Sequence, residues 1–224
     1  MKAGVLLLAA GEGERFGGAL PKVLMPVAGT PMLNRSLAPF LCIQAVSEIV
    51  VAAPPRFLEQ VRNSLEGMPR TKVVAGGQTR QQSAHLALGA LSNDLDFVLT
   101  HDAARPLVSQ ELIERVLAAA ELHGAAISAL PLVDTVKRVR EGFVEATLRR
   151  EVLWTVQTPQ AFRLPLLQKA HVRAADEGFA ATDDAALVEH FGLSEVAVVE
   201  GNPRNIKITR PEDLILAEFY LTHP

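Results

Sequence analysis

The sequence predicts an α/β fold built on a doubly wound, mostly parallel sheet. Three observations carry this. Short apolar runs alternate with helical patterns along the 224 residues. The runs are nearly continuous in Val, Leu, Ile and Ala, as in strands buried on both faces of a parallel sheet. The connections are short, which suits strand–helix units wound around one sheet.

Strands are expected at 5–8, 49–53, 72–75, 97–100, 126–130 and 196–199. Helices are expected at 31–42, 56–66, 80–91, 109–123, 164–176, 183–191 and 211–221. Two helices carry start signals. Ser109 precedes Glu111 and an apolar 3–4 repeat through Leu112, Val116, Ala119 and Ala120. Pro211-Glu212-Asp213 places a proline and two acids in a first turn, with Thr209 a candidate cap. The rhythm breaks once. Residues 133–151 alternate polar and apolar around Glu141-Gly142 and read as a β-hairpin rich in Lys137, Arg138, Arg140, Arg149 and Arg150. Such an arm has little core of its own, so it packs on a partner subunit or is a solvated ribbon at a sheet edge. The chain is read as one domain, 1–224, with the arm 133–151 inserted in it.

Composition narrows the function. Hydrophobic residues make up 49% and aromatics 5%, so the core is aliphatic. The formal net charge of −3 argues against non-specific nucleic-acid or anionic-membrane binding. No apolar run approaches the roughly 20 residues of a membrane span, and no leader pattern is visible, so a soluble cytoplasmic protein is expected. The single cysteine, Cys42, rules out an internal disulfide and a multi-cysteine metal site. It lies in an apolar helical run and is expected to be buried.

The first strand runs into Ala9-Ala10-Gly11-Glu12-Gly13-Glu14-Arg15, and Pro21-Lys22 follows. Small residues and glycines let backbone N–H groups approach an anion closely. Arg15 and Lys22 add two positive charges nearby. The segment reads as a polyphosphate cradle, or as a turn that merely joins strand to helix. A P-loop needs Gly-Lys-Ser/Thr after its turn, and none follows. A dinucleotide fingerprint needs a third glycine where Phe16 stands and an acid ending the second strand, where Ala52-Ala53-Pro54-Pro55 stand.

Three later segments point the same way. Gly76-Gly77-Gln78-Thr79-Arg80-Gln81-Gln82-Ser83 again joins glycines at a strand end to polar groups at a helix start. Its backbone and the Ser83 hydroxyl are candidates to read a base edge; the alternative is an ordinary cap at Thr79. His101-Asp102-Ala103-Ala104-Arg105-Pro106 follows a strand, and Asp102 is placed to hold a metal, a ribose or substrate hydroxyl, or only its own loop. The segment 205–213 sets Lys207 inside an apolar stretch expected to be a strand. An ammonium buried there needs an anionic partner, unless the side chain snorkels to solvent.

Taken in order, these segments resemble the 2-C-methyl-D-erythritol 4-phosphate cytidylyltransferase family of the non-mevalonate isoprenoid pathway. The resemblance rests on the Ala-Ala-Gly-x-Gly-x-Arg loop, Pro21-Lys22, Gly-Gly-x-x-Arg-x-x-Ser and His-Asp-Ala-Ala-Arg-Pro. It continues through Asp134-Thr135-Val136-Lys137, the Trp154–Gln160 segment, Ala181-Thr182-Asp183-Asp184 and Asn-Ile-Lys-x-Thr-Arg-Pro-Glu-Asp. These span residues 5 to 213. Two departures stand out: Val23-Leu24 where the family usually has Gln and an aromatic, and Gln78 where relatives often carry an acid.

The resemblance implies a Rossmann-like nucleotidyltransferase sheet and a homodimer formed through the arm. It implies transfer of the cytidylyl group of CTP to methylerythritol 4-phosphate, with pyrophosphate released and Mg²⁺ as cofactor. The nucleophile is a phosphate monoester already carrying about −1.5 to −2 charge, so it needs no general base. Positioning and positive charge are what the reaction needs. By resemblance, Arg15 and Lys22 serve the α-phosphate and leaving pyrophosphate, while Arg150 and Lys207 hold the methylerythritol phosphate. Arg150 lies in the arm and is open to serving the other subunit. Ala9, Ala10, Gly11, Gly77 and Ser83 line the CTP site. Asp102 stands near the substrate hydroxyls and the metal's shell, with Mg²⁺ bridged mainly by the triphosphate. Arg105, Thr135, Thr158 and Thr182 are assigned to the methylerythritol side. Two alternatives remain: a cytidylyltransferase for another polyol phosphate such as ribitol 5-phosphate, and a non-catalytic CTP-binding regulator.

Overall fold

The structure is a computed structural model that describes residues 1–11 and 21–223. Strand β1 (Ala3–Leu8) is followed by Ala9-Ala10-Gly11, and a 3₁₀ turn at Lys22–Leu24 leads into two short strands, β2 (Pro26–Val27) and β3 (Thr30–Pro31). There follow α1 (Met32–Leu41), β4 (Val46–Ala53), α2 (Leu58–Ser64), β5 (Thr71–Ala75), α3 (Arg80–Leu88), β6 (Phe97–Asp102), α4 (Gln110–His123) and β7 (Ala125–Pro131). The hairpin β8 (Lys137–Arg140) and β9 (Phe143–Thr147) comes next. The chain ends through β10 (Trp154–Arg163), α5 (Leu164–Glu177), α6 (Asp184–His190), β11 (Ala197–Glu200) and α7 (Pro211–Thr222).

The main sheet has seven strands in the order β11-β7-β10-β6-β1-β4-β5. All neighbours are parallel except β10, which runs antiparallel to both β6 and β7. The strand β1 is buried along its whole length, and its side chains divide by parity. Ala3, Val5 and Leu7 join the cluster with Leu37, Phe40, Leu112 and Val116 of α1 and α4. Leu6 and Leu8 join the opposite cluster with Ala84, Leu167 and Val188 of α3, α5 and α6. A fully buried leucine in such a layer contributes about 1.5–3 kcal/mol, so both helical layers are held to the sheet from one strand.

Side-chain caps close three helix starts: Ser109 was expected, Thr79 is the alternative weighed for its segment, and Asp183 was not singled out. Ser109 Oγ accepts from Leu112 N, Thr79 Oγ1 from Gln82 N, and Asp183 Oδ1 from Ala186 N. The hairpin turns at Glu141 and Gly142, which have φ of +51° and +86°. These left-handed values suit a tight two-residue hairpin turn.

Four expectations need correction. The strand β10 was not foreseen, because its sequence holds Pro159 and the polar Gln157, Thr158 and Gln160 instead of an apolar run. Those polar groups are buried but satisfied from a distance: Gln160 Nε2 donates to Asp183 Oδ2 and Asn205 Nδ2 donates to the Thr158 carbonyl. The stretch 205–209 is not a strand; it is an extended segment fastened by single bonds, such as Ile208 N to the Ala104 carbonyl. Cys42 is exposed, because it follows the last residue of α1 and turns off the buried face. Thr209 does not cap α7. Asp213 in the first turn reaches back instead, its Oδ2 accepting from Thr209 N, Thr209 Oγ1 and Arg210 N.

Candidate active site

A cavity of about 680 Å³ opens beyond the carboxyl ends of β1, β5 and β6. Ligands bind at this edge in open α/β sheets. Its lining includes Ala9, Ala10, Gly11, Lys22, Gly77, Ser83, Asp102 and Lys207. Eight residues singled out in the sequence therefore meet at one place, although they come from both ends of the chain.

Close backbone packing shapes the cavity floor. A Cβ on Gly76 would come within 2.3 Å of Ala10 Cβ, so only glycine lets the β5 turn approach the β1 turn. Ser83 is buried at the start of α3. Its Oγ accepts from Gly77 N at 3.1 Å and donates to the Thr79 carbonyl at 2.8 Å. The hydroxyl thus shapes the glycine turn, and its proton is committed there. Gln78 lines the cavity, its backbone N–H donating to Gln82 Oε1. The Val23 departure is buried in the core beside the site, so the 3₁₀ turn carrying Lys22 is anchored by an aliphatic plug.

Charge converges on Asp102 at the end of β6. Its Oδ2 is 2.7 Å from Lys207 Nζ, and its Oδ1 accepts from Arg80 Nε at 3.2 Å. Arg80 Nη1 donates in turn to Asp184 Oδ2 at 2.9 Å, and His171 Nε2 stands 3.0 Å from Asp184 Oδ1. Burial pushes the Asp102 carboxyl up, but Arg80 and Lys207 outweigh it and hold the group well below the usual carboxylate range. Asp184 follows the same logic: burial opposes ionisation, while Arg80 and His171 bring the carboxyl down to about 2. Burial alone would lower the Arg80 guanidinium; the charges of Asp184 and Asp102 instead raise it. Lys22 Nζ donates to the Ile208 carbonyl at 2.8 Å, which ties the 3₁₀ turn to the residue next to Lys207.

Two sequence candidates lie behind this wall. Thr158 Oγ1 is 3.1 Å from Asp102 N and 3.0 Å from His101 Nδ1. The Arg105 carbonyl can only accept, so His101 Nε2, 3.1 Å away, carries the proton. His101 Nδ1 then accepts from the Thr158 hydroxyl, which accepts from Asp102 N–H. Burial drives the His101 pKa down to about 4, so the ring is neutral and structural. Arg105 Nη1 donates to the Asn205 carbonyl at 2.7 Å and braces the segment that carries Lys207.

Thr135, Arg150 and Thr182 are exposed and do not line the cavity. Arg150 Nη1 donates to the Val133 carbonyl at the base of the arm. Arg15 lies outside the described residues. Arg80, Asp184 and His171 were not singled out in the sequence as site residues. The signals were the arginine after the Gly76-Gly77 turn and the paired acids Asp183-Asp184.

A model of the IspD family, described as 2-C-methyl-D-erythritol 4-phosphate cytidylyltransferase, matches residues 3–223. The chain belongs to this family. The cytidylyltransferase of that name from Acidobacterium capsulatum is 43% identical over 99% of this chain and 98% of its own. That from Caldanaerobacter subterraneus is 41% identical over 99% of each chain. The crystal structure of 4-diphosphocytidyl-2C-methyl-D-erythritol synthase from Anaerococcus prevotii superposes with a TM-score of 0.89 at 31% identity, covering 99% of this chain and 98% of that one. The 2-C-methyl-D-erythritol 4-phosphate cytidylyltransferase structure from Thermus thermophilus gives 0.81 at 38%, covering 99% and 100%. Membership of the cytidylyltransferase family accounts for a cavity with glycine turns on two sides and lysines from opposite ends of the chain.

Proposed function

We propose that this chain transfers the cytidylyl group of CTP to 2-C-methyl-D-erythritol 4-phosphate. The products are 4-diphosphocytidyl-2-C-methyl-D-erythritol and pyrophosphate, and the step belongs to isoprenoid precursor synthesis. A phosphate oxygen of the alcohol monoester attacks the α-phosphorus of CTP; the bond from that phosphorus to the β-bridging oxygen breaks, and pyrophosphate leaves. One observation carries the reading: Lys22 and Lys207 both line a cavity whose other walls are the Gly11 and Gly77 turns.

The side chains serve as positioners and as fixed charge. The glycine turns take the nucleotide, with Ala9, Ala10 and Ser83 shaping its seat. Lys22, together with Arg15, stabilises the α-phosphate and the leaving pyrophosphate. Lys207 and Arg150 hold the attacking phosphate in line. Fixed cations suit a reaction whose charge is crowded onto phosphate oxygens. Among the described residues no cluster of three metal-ligating side chains exists. A Mg²⁺ would arrive on the triphosphate and be held mainly by it, with Asp102, whose oxygens already face Arg80 and Lys207, the carboxylate beside it; the ion would neutralise phosphate charge there. Arg105, Thr135, Thr158 and Thr182 belong to the methylerythritol side, Thr158 and Arg105 acting through Asp102 and the Lys207 segment.

The chain acts as a homodimer through the arm, in the cytoplasm. Exposed Val139, Phe143 and Val144 on the hairpin support an arm that is covered by a second copy. Arg150 at its base then serves the neighbouring subunit. No described helix is long and apolar enough to cross a membrane.

The test is direct. The protein is incubated with CTP, Mg²⁺ and methylerythritol 4-phosphate, and the CDP-linked alcohol and pyrophosphate are measured in equal amounts. Preference for ribitol 5-phosphate would overturn the substrate. Binding of CTP without turnover of either alcohol would overturn the enzyme reading.

A further inference from the structure

Arg80 makes half of a bond pair that arginine ordinarily completes. A guanidinium facing a carboxylate side-on donates from Nε and Nη2 together, one to each oxygen. Here Nε reaches Asp102 Oδ1, yet Nη2 is buried with no hydrogen-bond partner among the described residues. The oxygen that Nη2 would take, Asp102 Oδ2, is held by Lys207 at 2.7 Å. The remaining arm of the guanidinium, Nη1, is drawn 2.9 Å from Asp184 Oδ2. Asp184 is itself fixed. It is 1% exposed, it opens α6 beside the cap Asp183, and its second oxygen faces His171 Nε2 at 3.0 Å.

We propose that Asp184 and Arg80 are positioning residues for Lys207, and that they act through Asp102. Asp184 tethers the guanidinium by Nη1, so Arg80 grips one oxygen of Asp102 and leaves the other for the lysine. Without the tether, the side-on fork closes on Asp102 and Lys207 loses its anchor at the cavity wall. The arrangement costs an unpaired Nη2, a buried donor whose desolvation is uncompensated. It carries a placement of charge from α6 to the site, across a span no sequence motif joins. The inference rests on the role of Lys207 proposed above.

The experiment is a double-mutant cycle on the full chain, with kcat read from pyrophosphate release at saturating CTP, Mg²⁺ and methylerythritol 4-phosphate. Asp184→Asn keeps the volume but removes the negative charge that draws Nη1, leaving at most a neutral amide acceptor there. It is expected to lower kcat at least about tenfold, with the KM for CTP within about threefold of the parent. In the Lys207→Ala background the same change is expected to alter the residual kcat by less than about twofold, because the step it acts through is gone. A purely structural role for Asp184 predicts the opposite, its full factor again in the second background; that result overturns the inference, as does a parental kcat for Asp184→Asn. Arg80→Lys, whose single ammonium cannot serve both carboxylates, is run through the same cycle. It decides the matter if the Asp184 variant does not fold: a loss that multiplies with Lys207→Ala overturns the inference. A parental kcat for Lys207→Ala alone would strike the proposed role of Lys207 itself, and so is told apart from either failure.

Discussion

Lys207 Nζ and Asp102 Oδ2 stand 2.7 Å apart, joining a segment near the end of the chain to the tip of β6. The pair sets a cation at the cavity wall without leaving it unpaired in the interior. Lys22 is held to the same segment through the Ile208 carbonyl, so both lysines move with one piece of backbone. Their predicted effects follow from that shared support.

Lys22→Ala and Lys207→Ala should each lower kcat by about 10²–10³-fold, the range seen when one fixed transition-state donor is removed. The fold should survive, because neither side chain fills the core. Turnover at saturating substrates, read beside a urea unfolding curve, checks both halves. Parental turnover in both variants would remove the lysines from the chemistry.

Gly76→Ala should weaken CTP binding and destabilise the protein together. The new Cβ would lie 2.3 Å from Ala10 Cβ and 3.0 Å from Ser83 Oγ, so the two turns that flank the cavity must separate. Overpacking of this kind costs about 1–3 kcal/mol. Calorimetric titration with CTP and a urea midpoint measure the two effects, and an unchanged affinity would show that the turns do not cradle the nucleotide.

Acid should destabilise the protein through His101 before its carboxylates titrate. The native ring is held neutral with a pKa near 4, mainly by burial, while the ordinary histidine value is 6.5. The unfolded chain therefore binds the proton first as pH falls. This contribution is complete above about pH 6.5 and is lost progressively down to about pH 4, on the order of 1 kcal/mol per unit. Below that, Asp184, whose carboxyl is down at about 2 against an ordinary 3.8, loses its contribution as pH falls toward 2. Urea midpoints at pH 7.5, 5.5 and 4.5 should decline in the parent and decline less in His101→Gln. Equal slopes in both would show that another group sets the acid limb.

If the arm forms the proposed dimer, Phe143→Asp should leave a monomer where the parent sediments as a dimer, since this ring is 78% exposed at the tip of the arm. If Arg150 acts across that interface, mixing inactive Arg150→Ala and Lys207→Ala chains should restore activity. One active site of each mixed dimer would then hold both groups. No regained activity after verified subunit exchange would place the two residues in one subunit's site.

Much of the fold was legible because its strands are buried on both faces, and continuous Val-Leu-Ile-Ala runs have few other uses. The strand β10 was not, because its buried Gln157, Thr158 and Gln160 look like loop residues until their partners arrive. Asn205 Nδ2 reaches Gln157 Oε1 from 48 positions away. The site divides in the same way. The glycine turns and Asp102 announced themselves by residue type at strand ends, Lys22 by its place after the first loop and Lys207 as a charge in an apolar stretch, whereas Arg80 and Asp184 look like ordinary helix-start charges in isolation.

The sequence by itself determined the family, the strand–helix order, the two glycine turns and the types of charge available. Those properties are local, set by periodicity, small residues and charge at strand ends. Only the tertiary structure decided which charges meet. Lys207 reaches Asp102, and Arg80 divides itself between Asp102 and Asp184, because the sheet order brings the ends of β1, β5 and β6 together with the segment before α7. Pairings of that kind depend on distances across the fold, and spacing along the chain does not encode them.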